Sequence, residues 1–336
     1  MSARSVKRLN ARGLAALFAG PPLLLAVSAL YIYSRTYAKS SRLGIEMTPA
    51  AFESIIGRAL PALAGMCVAA ALTAIVSLVF QTVTQSRLLT PSMLGFDSVF
   101  VTTQTLLVFL FGSRSEMFAN PYLNYLTAAG AMIAVSTLMY GAVLRRGRDN
   151  IVFLLMFGLV LSGILRSGSG YIQVIMDAED FNRVRAATSV TVNNMNTDII
   201  LPVLPIMLFI SAALLLRHRT YNVMSLGPEQ AKSLGVPYER EANVSLLLIA
   251  AGMSVATALI GSLTFLGLLS VNAARELLKT HRHLPLFIGS AVIASLLLVS
   301  GQGAAELLQG ALPVTAIIDL AGCSYMFYLI LRENRL

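Results

Sequence analysis

Two carboxylates, Asp97 and Asp319, stand inside apolar runs of this 336-residue chain. An ionised carboxylate in hydrocarbon is costly and normally faces a cavity, a partner or a proton path. Either residue therefore has the chemistry of a proton relay in an ion-driven transporter. Asp97 lies close to an expected membrane surface, where water or the first turn of a helix satisfies it. Asp319 is deeper, in the last apolar run, and suits a pathway wall or pairing with a neighbouring subunit. Asn193, Asn194, Asn196 and Thr197 form an uncharged polar cluster that could hydrogen-bond the oxygens of a polar ligand or cap the helix that follows. Other chemistry is missing by type and spacing. His218, His281 and His283 have no Cys or carboxylate at metal-ligand spacing. The 14 methionines are scattered as packing residues, and Cys67 and Cys323 sit in apolar runs. No G-x-x-x-x-G-K-[ST] loop occurs. The expectation is a chain that is not an enzyme and that itself binds no metal or cofactor.

The elements that must position these residues follow from composition. The chain is 56% hydrophobic and 12% charged, against about 25% charged for a soluble domain. Its apolar residues come in continuous runs, which argues against an outer-membrane barrel with alternating strands. An all-α membrane protein remains, and at about 20 residues per span the apolar content allows roughly nine to eleven crossings. Spans are predicted at about 14–33, 60–80, 93–111, 122–144, 151–175, 199–216, 243–262, 286–305 and 313–331. The first follows a basic tail, residues 1–13, and is too long for a signal-peptide core. A short run from Leu263 to Ser270, followed by the polar stretch from Asn272 to His283, reads as a tenth helix that is short or broken. Gly261 and Gly267 mark the break, or a kink packed between neighbours.

Charge then orients the chain. The net charge of +9 would suggest nucleic acid in a soluble protein. Here, with ten crossings and both termini cytoplasmic, 17 of the 25 Lys and Arg residues fall inside and eight outside, as the positive-inside rule requires. No nucleic-acid partner is expected. The whole chain, 1–336, reads as one transmembrane domain in the bacterial inner membrane, in contact with lipid.

The longest inside loop, 217–241, has a specific local grammar. Pro228 suits a first helical turn, Glu229 the positive N-terminal pole, and Gly235 the C′ position before Pro237. A short helix over 228–234 would present Met224, Leu226, Leu234 and Val236 as apolar knobs. Such a surface either docks a protein or lies on the headgroups.

These residues resemble a known family. The segment Ser225, Leu226, Gly227, Pro228, Glu229, Gln230, Ala231, Lys232, Ser233, Leu234, Gly235 is similar to the coupling loop of the iron-siderophore (FecCD-type) permeases of ABC importers, which include the vitamin B12 permease. Gln81 with Thr90 to Gly95, Gly261 to Leu268, Ala274 with Arg275, His281 with Arg282, and Gly322 with Tyr325 to Arg332 extend the resemblance. Val271 and Asn272 replace the family's usual Pro-His. Together with Phe181, Asn193 to Asp198, and Gly95 to Asp97 they look like the branch serving ferric catecholate siderophores through two different permease chains, as in vibriobactin and enterobactin uptake.

The resemblance implies a vitamin B12 permease-like (type II ABC importer) bundle of about ten helices. It implies a second homologous permease, a heterodimer favoured over a homodimer, and two cytoplasmic ATPases holding ATP and Mg. A periplasmic substrate-binding protein would deliver a ferric siderophore. Ser225, Leu226, Gly227, Glu229, Gln230, Ala231, Leu234 and Gly235 would meet the ATPase. Arg58, Arg42, Arg183 and Arg185 would meet the binding protein, although a snorkelling interfacial role suits Arg58 as well. Asn193, Asn194, Asn196, Asp319 and Phe265 would line the pathway. The alternative is a proton-coupled secondary transporter using Asp97 or Asp319.

Overall fold

A computed structural model describes residues 19–32, 49–145, 151–190, 197–308 and 312–333. Every regular element among them is helical. Continuous apolar runs bury backbone polar groups within each segment, which is what a bilayer demands. In chain order the helices are α1 (Ala19–Ile32), α2 (Pro49–Val83), α3 (Phe96–Phe111), α4 (Glu116–Ala119), α5 (Pro121–Arg145), α6 (Ile151–Ile175), α7 (Ala178–Thr188), α8 (Thr197–Leu216), α9 (His218–Met224), α10 (Pro228–Ser233), α11 (Tyr238–Ile260), α12 (Leu266–Leu278), α13 (His283–Leu307) and α14 (Val314–Glu333). Among the described residues, four segments are long and apolar enough to cross a membrane: Ala59–Val83, Asp198–Leu216, Tyr238–Ile260 and His283–Leu307.

Helix α2 is the axis of the bundle, packed by α8, α11, α12 and α13. Close approach depends on small residues, as is usual between membrane helices. A Cβ on Gly252 of α11 would lie 2.8 Å from Val76 of α2 and 3.2 Å from Ile210 of α8. Gly267 of α12 presses on Ser77 of α2, and Gly289 of α13 on Leu278 of α12. Buried hydroxyls are satisfied locally: Thr73, Ser254 and Ser270 each donate to the carbonyl four residues earlier. Helix α1 is tied to α13 by the Tyr31 hydroxyl, which donates to Glu306 Oε1 at 2.7 Å.

Two expected boundaries shift. The run predicted over 93–111 is interrupted: Pro91–Leu94 forms one 3₁₀ turn, and α3 begins only after Gly95, at φ 99°. A Cβ there would collide with Ser162 of α6, so both backbone angle and space require glycine. The break before the short helix lies at Gly261–Phe265, but Gly267 is inside α12. That helix continues to Leu278, into the polar stretch that begins at Asn272. It does so because Asn272 turns inward, its Nδ2 donating to the Arg87 carbonyl at 3.2 Å.

Candidate functional site

The loop from Arg217 to Glu241 is closed at its base. Arg217 Nη1 and Glu241 Oε2, the ends of α8 and the start of α11, form an ion pair at 2.6 Å. Between them α9 drives Tyr221 into the bundle, fully buried, with its hydroxyl 3.1 Å from Ser245 Oγ. Burial pushes that phenol above its usual pKa, so it stays protonated. The Tyr221 ring packs against His283 and Phe287 of α13.

Asn222 Oδ1 accepts the His283 backbone N–H at 2.8 Å and lies 2.9 Å from His283 Nδ1. An oxygen accepting from both sites places the imidazole proton on Nδ1, and Nε2 lies 2.8 Å from the Thr82 hydroxyl, whose single proton also faces the Leu78 carbonyl at 2.9 Å. Gln85 Nε2 donates to the Met224 carbonyl at 2.9 Å, and the Tyr238 hydroxyl donates to the Val83 carbonyl at 3.1 Å. The loop is thus pinned to the ends of both α2 and α13.

On this base sits α10, bounded by glycines. Gly227 has φ 106° and Gly235 φ 84°. After Ser233 the Gly235 N–H donates to the Lys232 carbonyl and the Val236 N–H to the Ala231 carbonyl, both at 3.0 Å, which is the hydrogen-bond pair of a Schellman cap. Lys232 and Glu239 add a 3.1 Å ion pair across the turn. Of the four expected apolar knobs, Leu226 and Leu234 are 55% and 62% exposed. The other two are corrected: Met224 is fully buried and Val236 is half-buried against the core. Helix α9 is the reason, since it turns Met224 inward. Ser225, Glu229, Gln230 and Gly235 are exposed, Gly227 is half-buried, and Ala231 is buried under α10.

The two intramembrane acids meet one feature. Asp97 stands in the first turn of α3, one of the two settings expected for it, and is only 5% exposed, which sets aside the other, solvation by water. The 84–95 connection carries it inward, and its Oδ2 accepts the Thr264 hydroxyl at 2.7 Å. Asp319, half-buried, lies beside the Phe265 backbone, with its Oδ1 buried and unpartnered. Phe265 itself presses on Gly322, three residues along α14. Both acids therefore hold the non-helical link between α11 and α12. Gly261 opens that link at φ 88°, its N–H donating to the Thr257 carbonyl at 2.8 Å. A Cβ on it would come within 3.0 Å of the Thr188 carbonyl.

At the opposite end of the bundle α7 carries Arg183, paired with Glu179 at 3.2 Å, and the exposed Arg185. Glu179 also meets Arg114 at 3.5 Å. Sequence reading missed this helix, although Asp177 before it, Glu179 and Asp180 in its first turn and Arg185 in its last are ordinary helix-end signals. Arg58 lies on α2. Arg42, Asn193, Asn194 and Asn196 fall outside the described residues, as does the side chain of Arg58. Among the described residues no group of three or more His, Cys, Asp or Glu could hold a metal ion.

Comparison with known proteins places this arrangement. The FecCD transport family model matches residues 16–332. The chain belongs to that family. It is 37% identical over 260 residues to the petrobactin import system permease protein YclO of Bacillus subtilis, covering 77% of this chain and 82% of the relative. It is 28% identical to the petrobactin permease FatC of Bacillus anthracis, covering 85% and 81%, and 27% identical to the ferric enterobactin permease FepD of Escherichia coli, covering 81% and 80%. The fold is similar to a solved inward-facing structure described as a metal-chelate type ABC transporter. The TM-score is 0.74 at 20% identity, over 93% of this chain and 99% of that one. The FecCD chain described here shares that helical architecture.

Proposed function

We propose that this FecCD chain is the membrane-spanning permease subunit of an ABC importer that moves a ferric siderophore, of catecholate type, from periplasm to cytoplasm. The observation that carries the reading is α10: a short, doubly capped helix that leaves Leu226 and Leu234 in solvent while its base is locked to α2 and α13. An apolar pair held this rigidly on a polar loop suits a protein partner. The partner is a cytoplasmic ATPase that holds ATP and Mg and hydrolyses it. This chain performs no bond chemistry.

The bundle crosses the inner membrane ten times, with both termini cytoplasmic and α12 as the short member. A second, different permease packs against α6, and a periplasmic binding protein docks over α7 and Arg185. Support for the second permease comes from α6, where Gly163 and Gly170 have open space beside them and Met156, Leu159, Val160 and Ile164 are exposed. Small residues on an exposed face admit a closely packed helix. The catecholate assignment is supported by the sequence of 90–97 and by the enterobactin relative.

Uptake tests the reading. In cells lacking the gene, this chain is expected to restore accumulation of ferric enterobactin or ferric petrobactin, and Leu234→Glu to abolish it at normal membrane abundance. Undiminished uptake by Leu234→Glu would refute the coupling role, and restored uptake of ferric hydroxamate alone would refute the substrate class.

A further inference from the structure

A cavity of about 590 Å³ opens beside α9, between the end of α2, the start of α13 and the α12–α13 connection. Its charged walls have one sign. Arg87, Arg275 and Lys279 line it, and no carboxylate does. The nearest acidic residue along α12, Glu276, is turned away to accept the Tyr325 hydroxyl at 3.3 Å.

Two groups in the wall lack partners. Gln81, 2% exposed, has neither its amide nitrogen nor its carbonyl oxygen hydrogen-bonded, and Arg275 Nη1 is buried without an acceptor. A buried guanidinium nitrogen and a buried amide left unsatisfied cost free energy that a bound acceptor would recover. The first turn of α13 also faces the space through His283 and Leu286, adding the positive pole of a 25-residue helix.

We propose that this cavity is a binding site for a phosphate-class anion. Arg275, half-buried with Nη1 unpartnered, supplies the planar fork that suits a phosphate oxygen pair, Gln81 an amide donor, and Arg87 and Lys279 the outer charge. The space exceeds what one phosphate ion fills. Its apolar lining is confined to Leu226 and Leu286, so it fits a phosphorylated solute or a lipid headgroup rather than an acyl chain. Because Ser225 and Leu226 share its wall, occupancy would stiffen the base of α10. The proposal is independent of which substrate the permease carries.

The test uses the full chain in nanodiscs of neutral phosphatidylcholine, titrated calorimetrically with pyrophosphate. A parallel preparation in phosphatidylglycerol is examined for lipid retained after exchange into neutral detergent. One binding event is expected, about tenfold or more weaker in Arg275→Gln and weakened to an intermediate degree in Arg275→Lys, which keeps the charge but loses the fork. Lys279→Gln, at an exposed position, guards against misfolding of the Arg275 variants and is expected to weaken binding severalfold. Pyrophosphate binding in neutral nanodiscs identifies a soluble ligand, and retained phosphatidylglycerol lost in Arg275→Gln identifies a headgroup. Either outcome supports the site. Neither being bound, or binding unchanged in folded Arg275→Gln and Lys279→Gln, overturns it. A cavity that binds neither anion, while Arg275→Glu sheds a co-purifying ATPase, is a protein-docking pocket and also overturns it.

Discussion

Leu226 and Leu234 can be truncated with little effect on folding, because 55% and 62% of each already lies in solvent. Burying a whole leucine is worth about 1.5–3 kcal/mol. The exposed share of each side chain therefore offers about 1–2 kcal/mol to a docked partner, which corresponds to a roughly 5- to 30-fold change in affinity for each leucine. The two flank opposite ends of α10, so their effects should add to within a few tenths of a kcal/mol. Leu226→Ala with Leu234→Ala is then expected to weaken ATPase binding by roughly 30- to 1,000-fold, with the permease melting within about a degree or two of wild type. Affinity of the detergent-solubilised permease for the partner ATPase, measured beside a thermal melt, reads both quantities. An unchanged affinity would refute the docking argument. A large fall in melting temperature would show instead that the leucines pack on the core.

Other substitutions probe the caps and the acids. Gly235 has positive φ but open space around a notional Cβ, so Gly235→Asn, which tolerates the left-handed region, should melt close to wild type. Gly235→Ala should cost roughly 1 kcal/mol, and equal melting temperatures for Asn, Ala and Val variants would contradict the capping role. Gly261→Ala meets both a Gly-only backbone and the Thr188 carbonyl. It should destabilise by about 1–3 kcal/mol, and a neutral melt would show that the α11–α12 link relaxes freely. Asp97→Asn keeps an oxygen for the Thr264 hydroxyl. It should sustain uptake within a few fold while Asp97→Ala loses it, whereas a proton relay predicts that Asn fails as completely as Ala. Tyr221→Phe removes the hydroxyl from a buried site and strands Ser245 without that partner, so a loss of about 1 kcal/mol is expected. A variant as stable as wild type would mean the pair contributes nothing.

The apolar runs announced most helices because a bilayer leaves few alternatives to a helix of that length. Helix α10 was legible from Pro228 and Gly235, since each answers a local backbone demand that no distant residue can change. The misreadings have the opposite character. The burial of Asn272 is not legible because its partner, the Arg87 carbonyl, lies 185 residues earlier. Met224 looked like a knob because α9, which turns it inward, has no strong end signal. Asp97 takes the first-turn place in α3 that the sequence allows, but its burial is not legible there, because nothing in 84–95 signals that Gly95 nests against Ser162 of α6 and carries the acid inward. Phe265 and Asp319 were each singled out, yet their proximity joins residues 54 apart and is invisible to spacing.

These long-range contacts define how α10 is coupled to the rest of the chain. Its base is held by Gln85 to Met224, Tyr238 to Val83 and Asn222 to His283, joining three helix ends that are far apart in sequence. A partner pressing on Leu226 and Leu234 must therefore either break those hydrogen bonds or carry the ends of α2, α11 and α13 with it. The second course is the cheaper, because the bonds are buried or half-buried and a separated donor would find no water. Helix α11 then delivers the displacement to its other end, where Gly261 opens the five-residue non-helical link that precedes α12. Asp97 and Asp319 grip that link from α3 and α14. The chain thus has a lever between the α10 surface and a non-helical joint, and the two acids sit where motion at that joint must be resisted or released.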